Sequence, residues 1–112
     1  MKPNQEQLKK FWEWCGWEWH PAIELWKSAP PENCLAYGTL PLLTLDNLFK
    51  YAVPKLDRNN LYDYIHFGYD QTEPKITTIQ ITLADKLIGT GEDIDPALAL
   101  YWALDKVREE TK

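Results

Sequence analysis

Two stretches decide the fold class, Ile76-Thr-Thr-Ile-Gln-Ile-Thr-Leu83 and Asp95-Pro-Ala-Leu-Ala-Leu-Tyr-Trp-Ala-Leu104. The first is β-branched and alternates. Thr77, Ile79, Ile81 and Leu83 face one way, and Ile76, Thr78, Gln80 and Thr82 the other. The second opens like a helix. Asp95 suits the N-cap, and Pro96 takes the first helical position, where its missing N–H costs nothing. Ala97, Leu100, Tyr101, Leu104 and Val107 then share a face, widened by Leu98 and Trp102, before the charged tail Arg108–Lys112. A half-buried strand and an amphipathic helix each have one apolar face to cover, which predicts an α+β domain.

Working upstream, Leu61–Tyr69 is rich in Tyr, Ile and Phe and reads as a second strand. Asp70–Pro74 is of hairpin length, so the two strands are expected to pair antiparallel. Leu45–Val53 reads as a helix capped by Thr44, with Leu45, Leu48, Phe49 and Ala52 on one face. Pro54 is expected to stop it, and Asp57–Asn60 reads as a polar turn. At the other end, Gln5–Cys15 reads as a helix. Asn4 and Gln7 form a capping box, Leu8, Phe11, Trp12 and Cys15 share a stripe, and Gly16 suits the left-handed residue that ends it. Trp17-Glu-Trp-His20 alternates as a short strand with Trp17 and Trp19 on one face. Pro21–Pro41 is irregular, broken by Pro30, Pro31 and Gly38, with a brief strand expected in Cys34–Tyr37. The expectation is one α+β domain over residues 1–112: a small, mostly antiparallel sheet of three or four strands layered with three helices as an α/β/α sandwich.

Composition bounds the function. The 112 residues are 45% hydrophobic and 26% charged, close to the globular average, which disfavours disorder. The net charge of −5 and the lack of a basic stripe argue against nucleic-acid binding through phosphate neutralisation. Met1–Lys10 is polar, no run approaches the ~18 apolar residues of a membrane span, and two cysteines are too few for a disulfide scaffold. The chain therefore reads as cytoplasmic, away from membranes, with reduced thiols.

Three segments together carry a resemblance. They are Phe11-Trp-Glu-Trp-Cys-Gly16, Leu45-Asp-Asn-Leu-Phe-Lys-Tyr-Ala-Val-Pro-Lys-Leu56 and Asp95-Pro-Ala-Leu-Ala-Leu-Tyr-Trp-Ala-Leu104. In this order the chain resembles the phage ABA-sandwich family, small proteins encoded in phage and prophage genomes. The resemblance implies a sheet layered between helices, and implies no activity and no catalytic residue. Pro21–Tyr37 is matched least.

Chemical motifs are sparse. Cys15, His20, Cys34 and His66 supply the ligand types of a zinc site, without the spacing of one. Ser28 is the only serine, with no nucleophile-elbow motif around it. Gly89-Thr-Gly91 lacks the third glycine and the Lys-Ser/Thr pair of a phosphate loop and reads as a flexible turn. Glu92, Asp93 and Asp95 have a sufficient role at a helix N-terminus. No catalytic residue, metal ligand or cofactor is assigned.

The aromatic content is the remaining signal: six Trp, six Tyr and three Phe, with four of the Trp between positions 12 and 19. Much of this is core volume. Trp14 lies off the first helix's apolar stripe, and Trp17, Trp19 and Trp26 are not all needed inside. Trp14, Trp17, Trp19 and Trp26 are therefore the candidate interaction surface. The expected function is a non-enzymatic module that binds an unidentified protein partner or a second copy of itself. The alternative is a small-molecule protein with a pocket lined by Trp and Tyr.

Overall fold

The computed structural model describes residues 2–22, 24–27, 36–37, 40–58, 62–69 and 75–110. They fall into two compact units, Pro3–Leu42 and Leu43–Lys112, with Met1 and Lys2 counted with the second. The class is α+β, as expected, and among the described residues the strands form two antiparallel sheets of three strands each.

In the first unit, α1 spans Gln5–Trp14. The capping box is made: Gln7 N donates to Asn4 Oδ1 at 2.8 Å, and Asn4 N to Gln7 Oε1 at 2.9 Å. Gly16, at φ 112°, turns the chain out of the helix. Its N–H donates to the Glu13 carbonyl, and that of Trp17 to the Trp12 carbonyl, both at 3.0 Å. This is a Schellman motif, and it has its usual apolar contact, with the Trp12 and Trp17 rings 6.5 Å apart, edge to face. Beyond it, β1 (Glu18–His20), β2 (Leu25–Lys27) and β3 (Ala36–Tyr37) form a sheet in that order. Trp17 thus belongs to the helix cap and not to the strand that the alternation predicted. Ser28, Cys34 and the Pro30-Pro31 break lie outside the described residues.

In the second unit, Thr44 caps α2 (Leu45–Asn47), which continues through a π turn at Leu48–Ala52 into α3 (Val53–Arg58). The expected stop at Pro54 does not occur. The Val53 N–H donates five residues back, to the Leu48 carbonyl. The wide turn eases the clash of the pyrrolidine ring with the preceding turn, and Val53 keeps right-handed helical geometry. The π turn also rotates the apolar face. Leu48, Tyr51, Ala52 and Leu56 are buried, while Phe49, expected inside, is 46% exposed. Asp57, expected in a polar turn, is the fifth residue of α3.

The second sheet is β4 (Tyr64–Tyr69), β5 (Thr77–Leu83) and β6 (Lys86–Asp93), paired in sequence order. The loop expected at Asp70–Pro74 lies outside the described residues. β5 and β6 are joined by Ala84 and Asp85, both left-handed at φ 54° and 63°, which is the two-residue hairpin turn whose twist matches that of the strands. Asp63 braces it, its Oδ2 accepting from Ala84 N at 2.6 Å.

Helix α4 (Pro96–Glu110) covers one face of this sheet. Asp95 caps it, Oδ1 accepting from Ala97 N at 2.9 Å. Gly89-Thr-Gly91, expected as a turn, lies within β6, directly beneath the helix. A Cβ on Gly91 would collide with the Ala99 carbonyl oxygen and come within 2.6 Å of Ala103 N, and one on Gly89 would meet Val107 Cγ2 at 2.8 Å. The glycines bring the helix backbone down onto the strand. Ala99 and Ala103, outside the expected stripe, are fully buried there, beside Ile79 and Ile81 of the neighbouring strand.

Two stability predictions follow from these contacts. Gly91→Ala should cost roughly 3 kcal/mol in urea denaturation, because the collision is with backbone. In Gly68→Ala the Cβ meets nothing nearer than 3.6 Å, so that variant should be neutral or gain up to about 1 kcal/mol. Equal effects of the two would refute the close helix–strand approach. Replacing Ala84-Asp85 by Asn-Gly should raise stability by about 1 kcal/mol, since both residues tolerate left-handed geometry. A lower thermal midpoint would contradict that turn.

Candidate functional site

Each unit presents aromatic side chains to solvent. In the first, Trp19 and Trp26 are direct cross-strand partners in β1 and β2, with ring centroids 5.5 Å apart. Trp19 is 42% exposed and Trp26 half-buried. Opposite strand neighbours lie close enough for side chains to touch, and an aromatic pair there stabilises the hairpin while keeping one ring face outward. The neighbouring positions of the two strands alternate onto the opposite face of the hairpin. Glu18 lies opposite Lys27, and His20 Nε2 is 3.9 Å from Glu18 Oε2.

The four candidate tryptophans divide accordingly. Trp19 and Trp26 come together on the hairpin. Trp14 is half-buried on α1, its ring 6.1 Å from that of Phe11. Trp17 is 2% exposed and cannot form part of a contact surface. The reason is the Schellman motif, which turns the residue after the glycine back onto Trp12.

The second unit adds residues that sequence reasoning missed. Tyr64, Phe67 and Tyr69 of β4 are 62%, 50% and 61% exposed. Phe67 stacks on Phe49 of the π turn, with centroids 6.2 Å apart and planes at 19°. On the other face of the strand, Tyr64 and His66 have ring centroids 5.7 Å apart. Antiparallel register assigns the faces. Phe67 opposes Ile79 and Tyr69 opposes Thr77, on the α4 side, while His66 opposes Gln80 on the outer side. A signal was present, because Tyr64-Ile-His-Phe-Gly-Tyr69 carries aromatic rings on both faces, unlike a strand with one polar side.

The ionisable groups inside the second unit serve the structure. Arg108 Nε donates to Asp105 Oδ1 at 2.7 Å, and both side chains are about nine-tenths buried. This hydrogen bond raises the guanidinium pKa. Burial, then the Asp105 charge, pushes the Tyr101 phenol above its ordinary range and holds it neutral. An open depression of about 390 Å³ lies between Leu43–Asp46 and Asp95–Ala97. Its walls include the caps of two helices, Thr44 and Asp95, whose oxygens accept from Asn47 N and Ala97 N. No Trp or Tyr lines it.

Of the zinc-type residues, Cys15 is buried in the first unit and His66 exposed in the second. Cys34 lies outside the described residues. Among the described residues no three His, Cys, Asp or Glu side chains are grouped to hold a metal ion, and no helix is long and apolar enough to cross a membrane.

The exposure of the hairpin pair predicts a fluorescence result. Trp19→Phe should remove a larger share of the iodide-quenchable emission than Trp17→Phe, which should leave that share nearly unchanged. The reverse order would place Trp17 at the surface.

Comparison with protein-family models, with curated proteins and with solved structures finds no match.

Proposed function

We propose that the chain is a non-enzymatic protein-interaction module, an accessory protein of the phage or prophage type its sequence resembles, and that it engages a partner protein through the Trp19–Trp26 hairpin. The observation that carries this reading is the exposed cross-strand pair. Tryptophan contributes large contact area for little lost rotamer freedom, and it dominates the energetics of protein interfaces where it lies at a desolvated centre. A half-exposed indole already braced by a second one is preorganised for that role, so little ordering entropy opposes binding.

The test is photo-crosslinking in a lysate of the source organism. A benzophenone amino acid replaces Trp19 in one preparation and Lys106, exposed on α4, in another. The expected result is a discrete adduct from position 19 alone, competed by excess unmodified protein but not by Trp19→Ala. Equal labelling from both positions, or competition by Trp19→Ala, would remove the hairpin as the binding surface.

A further inference from the structure

We propose that the outer edge of β4 pairs with the same edge of a second copy of this chain, in antiparallel register about Phe67, to form a continuous six-stranded sheet. This surface is separate from the hairpin of the first unit, and its occupant is the chain itself.

β4 lies at the end of the sheet order, and among the described residues nothing pairs with its outer side. Every second residue of an edge strand directs its N–H and C=O away from the sheet, which makes it a template for another strand. Folded proteins blunt such edges with charge, bulges, proline or brevity. The other edges here are blunted. β6 carries Lys86, Glu92 and Asp93, and its pairing with β5 is irregular at Ile81/Thr82. β1 and β3 are three and two residues long. β4 has six residues, no proline and no formally charged side chain. The chain's net charge of −5 opposes self-association, and the six residues of β4 add no formal charge to that repulsion. Of the two carboxylates that flank the strand in sequence, Asp63 is held by the Ala84 N–H, and Asp70 lies outside the described residues.

Symmetry narrows the register. A two-fold axis perpendicular to the sheet keeps each face on its own side, so residues of the same face must oppose one another. Centring on Phe67 places Phe67 opposite its copy and Ile65 opposite Tyr69. These are the aromatic–aromatic and aromatic–β-branched pairs that stabilise neighbouring strands most. Centring on His66 instead opposes two imidazoles, a pairing that repels when they are protonated.

The area is of the right order. Phe49, Tyr64, Phe67 and Tyr69 are each exposed by roughly half. At about 200 Å² per aromatic side chain they offer roughly 400 Å². That is about half of the ~800 Å² per partner of a stable interface, with the strand backbones still to add. The result is a concentration-dependent dimer.

Sedimentation equilibrium over a roughly hundredfold concentration range tests this, because mass action must shift the population. The unmodified chain should pass from monomer to dimer. Phe67→Lys and Phe67→Glu should each stay monomeric, with like charges opposed across the axis. Their equimolar mixture should associate again, which requires both variants to be folded. Register is read separately by oxidation. Phe67→Cys should give a disulfide-linked dimer, because opposed residues meet the geometry of that bond, and His66→Cys should not. An unmodified chain that stays monomeric overturns the proposal and leaves the edge to a different strand-donating protein or to solvent. Undiminished association of Phe67→Lys, or crosslinking at His66→Cys in place of Phe67→Cys, overturns it as well.

Discussion

The close approach of α4 to β6 organises the second unit. Gly89 and Gly91 leave no side chain between the strand and the helix backbone, and Ala99 and Ala103 meet them with the smallest side chains available. A helix set this low covers Ile79 and Ile81 on the adjacent strand and buries most of its own circumference. It also draws Asp105 and Arg108 inside, where neither charge is tolerable without the other. Interiors are packed at crystal density, so so small a separation has no room to drift. β4, at the far side of the sheet, receives less cover. Phe67 is met by Phe49, while Tyr64 and Tyr69 stay more than half exposed, and that margin is where the unit has surface to offer.

The surplus of aromatic residues is divided by local geometry. In the first unit one glycine decides the matter. Gly16 folds Trp17 back onto Trp12, and both become core. Two residues further on, the strand has begun, and Trp19 points where the hairpin places it, beside Trp26. In the second unit the π turn moves Phe49 out of the helix's buried face and onto Phe67. The tryptophan content gives no warning of either outcome, since the same residue type fills a core and an interface for the same reason, large apolar area.

Much of the fold was legible because its signals are short-ranged. The Asn4–Gln7 capping box, the left-handed Gly16, the Asp95-Pro96 helix start and the alternation of Thr77–Leu83 each involve residues only a few positions apart. What was misread has a common cause. β6 was hidden by two glycines that read as a turn, and by a hairpin turn of Ala84-Asp85 in place of the Asn-Gly that announces one. Pro54 read as a stop because its usual clash is with an ordinary helical turn, and the turn before it is a wide one. Trp19 and Trp26 could be named as candidates from the sequence but their pairing could not, because β2 is too short for a periodic signal. Phe49, Tyr64, Phe67 and Tyr69 were missed because exposure at a sheet edge depends on which strand ends the sheet.

By itself, the sequence determined the α+β class, the helix caps and the faces of the central strand, since these are settled by hydrogen bonds and steric limits among neighbours in the chain. Only the tertiary structure decided that Gly89 and Gly91 lie beneath a helix, that Trp17 is core while Trp19 is surface, and that β4 is an edge. Close approach, burial and edge position belong to two segments meeting in space, and neither segment carries that information alone.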